Sequence, residues 1–311
     1  MKKILFTLLW VAVLTPMLGS PVHSAPAARV TAEVVDENGT PIQGADVTVG
    51  YTLAKKGGLG TDDYRERGKS DKDGLFTATG STIIPQVTIH AEFEGYYRSS
   101  KWAEFKSSTL SIRWEPWNPT VEVVLKKKRN PVPMIIAGTD WVSIPKLGAP
   151  VGYDIEKSDW VTPYGNGIVA DLTIEFNLDY RDYTDYDANM NISFPNDQDG
   201  IQEFWFDKTE QSSFKWPFEA PTSGYLKSVN IFVRDNPKDG YKTNIKEGVN
   251  YLFRIRTKLD KTGNIISANY GKFNGEFGIS RKGKTRFTYV FNPDGTRNLE
   301  EDPEKNLFQK K

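Results

Sequence analysis

The stretch Val34–Val49, VVDENGTPIQGADVTV, predicts a strand, a tight turn and a second strand. Apolar and polar residues alternate in RVTAEVVD (29–36) and again in ADVTV (45–49), which is the period of a strand with one buried face. Between these segments, Asn38 and Gly39 supply turn chemistry, because a short polar side chain bonds nearby backbone and glycine tolerates a positive φ. The stretch is therefore predicted to turn the chain back from one strand to the next.

The same alternation of short strands and turns continues through the first third of the chain. SDKDGLFTATG (70–80) and QVTIHAEFEGYY (86–97) each join apolar alternation to glycine, and TVEVVLKKK (120–128) is the last strand of the set. About five short strands are predicted, which is typical of a small β-sandwich or barrel.

Four blocks in this region resemble the carboxypeptidase regulatory-like domains, which are transthyretin-like or collagen-adhesin-B-like (prealbumin/Ig-like) β-sandwiches. The blocks are GTPIQGADV, SDKDGLF, AEFEGY and VEVVL, and the resemblance covers residues 29–127. The chain departs from the pattern in the insert AKKGGLGTDDYRERGK (54–69) and in LSIRWEPWNPT (110–120). The resemblance implies a sandwich at residues 28–130 that supports or presents neighbouring domains without being catalytic.

The rest of the chain resembles no family, but its pattern predicts long antiparallel strands. In GIVADLTIEFNLDY (167–180), the even-numbered residues from Ile168 to Leu178 are expected to face inwards and the odd-numbered residues to face water. In NYLFRIRTKL (250–259), the odd-numbered residues to Leu259 are expected inside, and Arg254, Arg256 and Lys258 outside. The fold class is therefore all-β, with a larger antiparallel sandwich at residues 137–292 for which the jelly roll is one topology.

The chain ends and the segment between the two sandwiches have their own signatures. Lys2 and Lys3 precede the apolar run ILFTLLWVAVLTPMLG and a group of small residues, which predicts a secretory signal peptide at residues 1–24. We therefore expect an exported protein, periplasmic or extracellular, without membrane insertion after cleavage; an uncleaved anchor is the alternative. KKKRNPVP indicates a linker at residues 131–136, and residues 293–311 are predicted to form a charged tail.

Composition excludes several function classes. The chain has no cysteine, so thiol catalysis and thiolate metal sites are excluded. It has two histidines, and the leader would remove His23, so the remaining His90 cannot form a two-histidine zinc site. Loss of the leader leaves a net charge of −2, because it removes two lysines and no acid, and nucleic acid is not an expected partner. No cofactor is predicted.

Carboxylates are the remaining catalytic candidates. Asp171, Glu175 and Asp179 are predicted to share one wet strand face, where residues four apart lie about 13 Å from each other, too far for a glycosidase pair. Glu203 is a candidate cross-strand partner that would complete such a pair. The acidic segments 185–191 and 196–203 offer oxygen ligands for calcium, but neither matches a helix-flanked calcium loop, and turns explain them more simply.

Aromatic residues are the candidate ligand-binding groups. Trp114 and Trp117 lie in RWEPWNP, and Tyr180, Tyr183 and Tyr186 lie among aspartates in LDYRDYTDYDAN. Exposed rings beside hydrogen-bonding acids are typical of sugar-binding loops and of protein interfaces, although such rings also close the ends of sandwiches. The leading hypothesis is an exported, non-catalytic binding or scaffold protein with a protein or glycan partner. The alternative is a carboxylate-dependent polysaccharide hydrolase or lyase.

Overall fold

The computed structural model describes residues 25–56, 59–109 and 112–308, and their regular structure consists of β-strands and turns. Within these ranges the structure contains no helix that is long and apolar enough to span a membrane. The all-β prediction is confirmed. The predicted signal peptide, residues 1–24, lies outside the described residues, as do residues 309–311.

The chain folds into two compact units. Of the described residues, those within 25–34, 41–90 and 101–122 form the first unit, and those within 35–40, 91–100 and 123–308 form the second. Each unit is described by itself below.

Nine strands occur in the described part of residues 27–125, where about five were predicted. They are β1 (Ala27–Asp36), β2 (Asp46–Ala54), β3 (Thr61–Lys69), β4 (Leu75–Ser81), β5 (Gln86–Glu92), β6 (Ser99–Glu104), β7 (Ser107–Thr109), β8 (Arg113–Glu115) and β9 (Thr120–Leu125). One sheet has the order β4-β1-β8-β7, with β9 also paired to β1, and the other has the order β3-β2-β5-β6.

The insert at residues 54–69 is regular structure for most of its length. It contains β3, which pairs antiparallel with the whole of β2, from Asp46↔Lys69 to Ala54↔Thr61. The sequence prediction missed this strand because β3 is charged on both faces, so it has no apolar alternation. Strand pairing through the backbone, which no side-chain pattern reveals, holds it in place.

Glycines allow rings of the first unit to pack closely between its sheets. A Cβ at Gly80 of β4 would lie 2.8 Å from the ring of Tyr51 on β2, and a Cβ at Gly68 of β3 would lie 2.2 Å from the ring of Phe76 on β4. The absent side chains therefore make room for these aromatics, and the two sheets face each other across a buried layer.

The second unit contains thirteen further strands in its described residues. They are β10 (Val132–Ser143), β11 (Val151–Asp154), β12 (Asp159–Trp160), β13 (Leu172–Asp182), β14 (Asp185–Ser193), β15 (Gly200–Trp205), β16 (Ser228–Asp235), β17 (Lys242–Thr243), β18 (Val249–Leu259), β19 (Ile265–Phe273), β20 (Gly278–Ser280), β21 (Lys284–Asn292) and β22 (Glu301–Asn306).

These strands form two sheets around one apolar core. The first has the order β15-β18-β19-β21-β10-β22, with β20 paired to β21, and the second has the order β12-β11-β13-β14-β16-β17. Alternate residues of β13 (Leu172, Ile174 and Phe176) are fully buried in the core and share it with Phe253 and Phe291 of the facing sheet. This is the packing that the alternating pattern predicted.

The predicted strand at residues 167–180 is shorter than expected at its start. β13 begins at Leu172, and Ile168, predicted to be internal, is 76% exposed. Asp171 precedes the strand and is buried, so its placement on a wet face was wrong. Leu259 at the end of β18 is exposed, which also contradicts its predicted inward position.

A β-bulge in β18 reverses the predicted orientation of Arg256. The register moves from Ile255↔Asn269 to Lys258↔Ser267, so Arg256 and Thr257 stand opposite one residue, and Arg256 has a φ of 56°. The side chain of Arg256 points into the unit instead of into water, where it binds buried carboxylates. Arg254 was also predicted to point out, yet it is buried and donates to backbone carbonyls.

Part of the segment predicted as a charged tail belongs to the larger sheet. β22 pairs parallel with β10, and Leu307 donates its backbone N–H to the carbonyl of Met134. Phe308 then packs against the apolar core. The pairing with β10 adds a strand to the sheet at its edge.

Candidate binding site

The two predicted tryptophans lie in the first unit and differ in their surroundings. The indole N–H of Trp114 donates to the carbonyl of Thr82 at 2.9 Å, and its ring stacks on Phe105 with a centroid distance of 6.2 Å. The ring of Trp117 is more exposed, and the guanidinium of Arg113 lies 5.6 Å from its centroid. Trp114 is thus anchored by the fold, whereas Trp117 presents part of its ring to solvent.

The three predicted tyrosines belong to the β13–β14 hairpin of the second unit. Tyr180 and Tyr183 are exposed, and the guanidinium of Arg281 lies 3.7 Å from the ring centroid of Tyr183. Tyr186 is only 7% exposed and is part of the apolar core. The hairpin therefore presents two rings outside and sends the third inwards.

The aspartates beside these tyrosines bind cations of the hairpin and of its neighbour strand. Arg181 forms ion pairs with Asp179 and Asp185, and Arg234 of β16 forms one with Asp187. The bond from Arg181 lowers the pKa of Asp185. These three carboxylates are engaged within the protein, so they are not the free hydroxyl acceptors that the sequence suggested.

A cavity of about 390 Å³ opens at one end of the core of the second unit, beside Tyr186. Its aromatic and charged lining residues are Trp141, Tyr186, Tyr241, Glu276, Arg281, Lys282 and Arg286. Small residues contribute to its lining: Ala188 follows Tyr186 on the inner face of β14, and Gly278 lies in β20. A concave site with apolar walls and a few convergent polar groups is the usual form of a ligand site.

A second β-bulge directs Trp141 into this cavity. Between the pairs Thr139↔Phe287 and Val142↔Thr285, the residues Asp140 and Trp141 stand opposite Arg286 alone. Trp141 has a φ of 42°, a left-handed conformation that costs a bulky residue about 1–3 kcal/mol. A Cβ at Gly278 would lie 3.2 Å from its indole, so the glycine makes room for the ring.

The electrostatic environment of the cavity is set mainly by arginines. The guanidinium of Arg286 lies 5.0 Å from the ring centroid of Trp141. Burial raises the pKa of the Tyr186 phenol, Tyr241 and Asp235 add to the rise, and the positive charge of Arg281 opposes it. Tyr186 is therefore a neutral phenol at physiological pH, with an arginine beside it.

A cluster of buried carboxylates lies outside the cavity, around Arg256. Arg256 forms ion pairs with Asp154, Glu156 and Asp171. Burial raises the pKa of Asp171 against the effect of Arg256, whereas backbone amide donors outweigh burial at Asp154 and lower its pKa. Because one guanidinium binds both buried acids, neither is free as a nucleophile or a general acid, and we assign the cluster a structural role.

The other carboxylate and cation candidates also have structural partners. Glu203 is not the cross-strand partner of Glu175, which pairs with Asn191. Glu203 lies in the other sheet of the unit and forms an ion pair with Lys246. Asp199, one of the candidate calcium ligands, accepts hydrogen bonds from the backbone amides of Arg256 and Thr257. Among the described residues, no group of three or more histidine and acidic side chains is arranged to hold a metal ion.

Of the predicted tyrosines, Tyr186 lines the cavity and Tyr183 contacts its Arg281, but sequence reasoning missed the other aromatic and charged groups of the lining. Trp141, Tyr241, Arg281 and Arg286 come from three separate segments of the chain. Strand pairing joins the segments of Trp141 and Arg286, and the packing of the two sheets brings Tyr241 to them. The one local signal was GTDW (138–141), where a glycine and an aspartate interrupt the alternation of β10. That interruption is the bulge that turns Trp141.

No protein-family model and no curated protein matches the chain. Among solved structures, 3-chlorocatechol 1,2-dioxygenase from Rhodococcus opacus aligns with a TM-score of 0.26 and 13% identity over 35% of this chain and 63% of that chain. The shaft pilin spaA from Lactobacillus rhamnosus aligns with a TM-score of 0.24 and 12% identity over 78% of this chain and 92% of that chain. A streptococcal ancillary pilin aligns with a TM-score of 0.21 and 12% identity, over 89% and 63% respectively.

The alignment with the dioxygenase spans less than two thirds of that enzyme's length. Likeness at this level does not identify a function, because similar β architectures serve many unrelated proteins.

Proposed function

We propose that the chain is an exported, non-catalytic binding protein whose cavity at Trp141 holds a saccharide ligand. Export rests on the leader pattern at residues 1–24, and the binding role rests on the cavity. The proposal narrows the two partners expected from the sequence, a protein or a glycan, to the glycan.

The observation that carries the proposal is the strained backbone of Trp141 together with the partial exposure of its side chain. Glycine adopts a φ of 42° without steric cost, whereas tryptophan does not, so a purely structural bulge would not need this side chain. The ring is 37% exposed and faces the cavity, and Tyr241 adds a second exposed ring at the same site. Flat apolar rings around a pocket of this volume suit the apolar face of a sugar ring.

The enzyme alternative has less support in the second unit. Hydrolysis or elimination of a polysaccharide needs carboxyl groups with separate roles and access to substrate. The buried acids Asp154 and Asp171 share Arg256, and Glu276 is the carboxylate that lines the cavity.

Replacement of Trp141 by alanine is expected to weaken saccharide binding by about 2 kcal/mol, or roughly 30-fold, because aromatic anchors in pockets dominate binding energy. Retention on a glycan array, followed by calorimetry with the best saccharide, measures the effect. Trp205→Ala is the matched control, since Trp205 lies in the same unit, is 46% exposed and has Lys246 at 5.5 Å from its ring, yet does not line the cavity.

The binding proposal fails if Trp141→Ala retains saccharides as the unchanged chain does. It also fails if no saccharide is retained while a protein is bound at the same cavity.

A further inference from the structure

The charged residues of the Trp141 cavity are unbalanced. Among the described residues, Arg281, Lys282 and Arg286 line it together with one carboxylate, Glu276, so this lining carries a net charge of +2. The whole chain, in contrast, has equal numbers of basic and acidic residues. Cations are therefore concentrated at this site, and the site attracts an anion.

The arginines of the cavity are also free of carboxylate partners. Within residues 25–56, 59–109 and 112–308, neither Arg281 nor Arg286 forms an ion pair. This distinguishes them from Arg181, Arg234 and Arg256 of the same unit, each of which binds at least one acid. Positive charge that meets no acid in the described part of the chain is available to a ligand.

Aromatic rings hold both guanidinium groups in place. Arg281 lies 3.7 Å from the ring centroid of Tyr183, and Arg286 lies 5.0 Å from that of Trp141. A guanidinium held against a ring is oriented in advance, and its planar fork of N–H donors matches the two oxygens of a carboxylate. Arginine that stacks in this way is suited to bidentate recognition.

We infer that the saccharide bound at this cavity is anionic and carries a carboxylate, as uronic and sialic acids do. The inference rests on the proposed function and adds the chemical class of the ligand. The rings of Trp141 and Tyr241 contact the apolar face of the sugar, and Arg281 and Arg286 bind its carboxylate. The phenol of Tyr186, at the inner end of the cavity, is a further hydrogen-bonding group for a hydroxyl.

The test is an array that pairs uronate- and sialate-bearing saccharides with their carboxyl-reduced counterparts, with sulfated saccharides as a third arm. Carboxylated saccharides are expected to be retained, their reduced counterparts to be lost, and retention to fall as salt is raised. Equal retention of acidic and reduced forms, or a preference for sulfated ones, overturns the carboxylate assignment and leaves the proposed function standing. If no saccharide of any arm is retained, both the carboxylate assignment and the proposed function are overturned.

Substitution of either arginine separates specific binding of the carboxylate from general attraction by positive charge. Arg281→Gln and Arg286→Gln are each expected to weaken binding of the carboxylated saccharide roughly 10-fold or more, since a charge-assisted hydrogen bond is lost. Lys258→Gln and Lys261→Gln are controls that remove the same charge from exposed positions outside the cavity. If the controls weaken binding as much as the arginine variants do, the carboxylate is bound by general charge and the inference is wrong.

Discussion

Replacement of Arg256 by methionine is expected to lower the free energy of unfolding by about 3–5 kcal/mol, which is the usual cost of removing one partner from a buried ion pair. The side chains of Asp154 and Asp171 are 2% and 0% exposed, and Arg256 is the cation that binds both. Without the guanidinium, the buried carboxylates of Asp154 and Asp171 lose their shared cation and keep only hydrogen bonds from backbone amides. Urea denaturation followed by tryptophan fluorescence measures the loss.

Arg181→Met is the matched control for this substitution. Arg181 also bridges two aspartates, Asp179 and Asp185, but its side chain is 48% exposed. Exposed ion pairs contribute about 0–1 kcal/mol, so the control should unfold close to the unchanged chain. Equal losses in the two variants would show that burial of the Arg256 cluster adds nothing, contrary to our interpretation.

Replacement of Asp199 by alanine is expected to destabilise the chain by about 2–6 kcal/mol, because it leaves two buried donors unpaired and each costs about 1–3 kcal/mol. The bulge in β18 removes the amides of Arg256 and Thr257 from regular strand pairing. Asp199 accepts a hydrogen bond from each of these amides. Its Oδ2 lies 2.8 Å from the backbone nitrogen of Arg256, and its Oδ1 lies 2.9 Å from that of Thr257. One buried carboxylate thus replaces the missing partner strand.

Chemical denaturation of Asp199→Asn and Asp197→Ala completes this experiment. The asparagine keeps one acceptor oxygen, so the free energy of unfolding of Asp199→Asn should lie between those of the unchanged chain and the alanine variant. Asp197 is two residues away, and its side chain is 95% exposed in an ion pair with Lys227, so its removal should cost little. An alanine variant at position 199 as stable as that at position 197 would mean that the bulge does not depend on the carboxylate.

The fold class was predictable from the sequence, but the positions of the bulges were not. A period of two residues gives the buried face of a strand such as β13 from Leu172 onwards. One extra residue reverses that period, and at Arg256 and Trp141 the extra residue carries a large side chain in the left-handed region, where glycine would be expected. The pattern therefore assigned Arg256 to the wrong face.

The candidate site was predictable only where its residues are close together in sequence. Tyr183 and Tyr186 stand out because they share one hairpin with a run of aspartates. Arg281 and Arg286 lie almost a hundred residues later, in a segment whose only sequence signal is a solvated strand face. Their relation to Trp141 depends on the register of β10 against β21, which no local pattern contains.

β3 lies at the rim of its sheet, where one side of its backbone has no neighbouring strand in the described structure. Such a rim is a template on which a second chain can add itself. Between Asp62 and Lys69, six ionised side chains of both signs extend from this strand into water. Another copy laid alongside would have to strip water from these charges, so the charged edge of β3 disfavours the addition of a second chain.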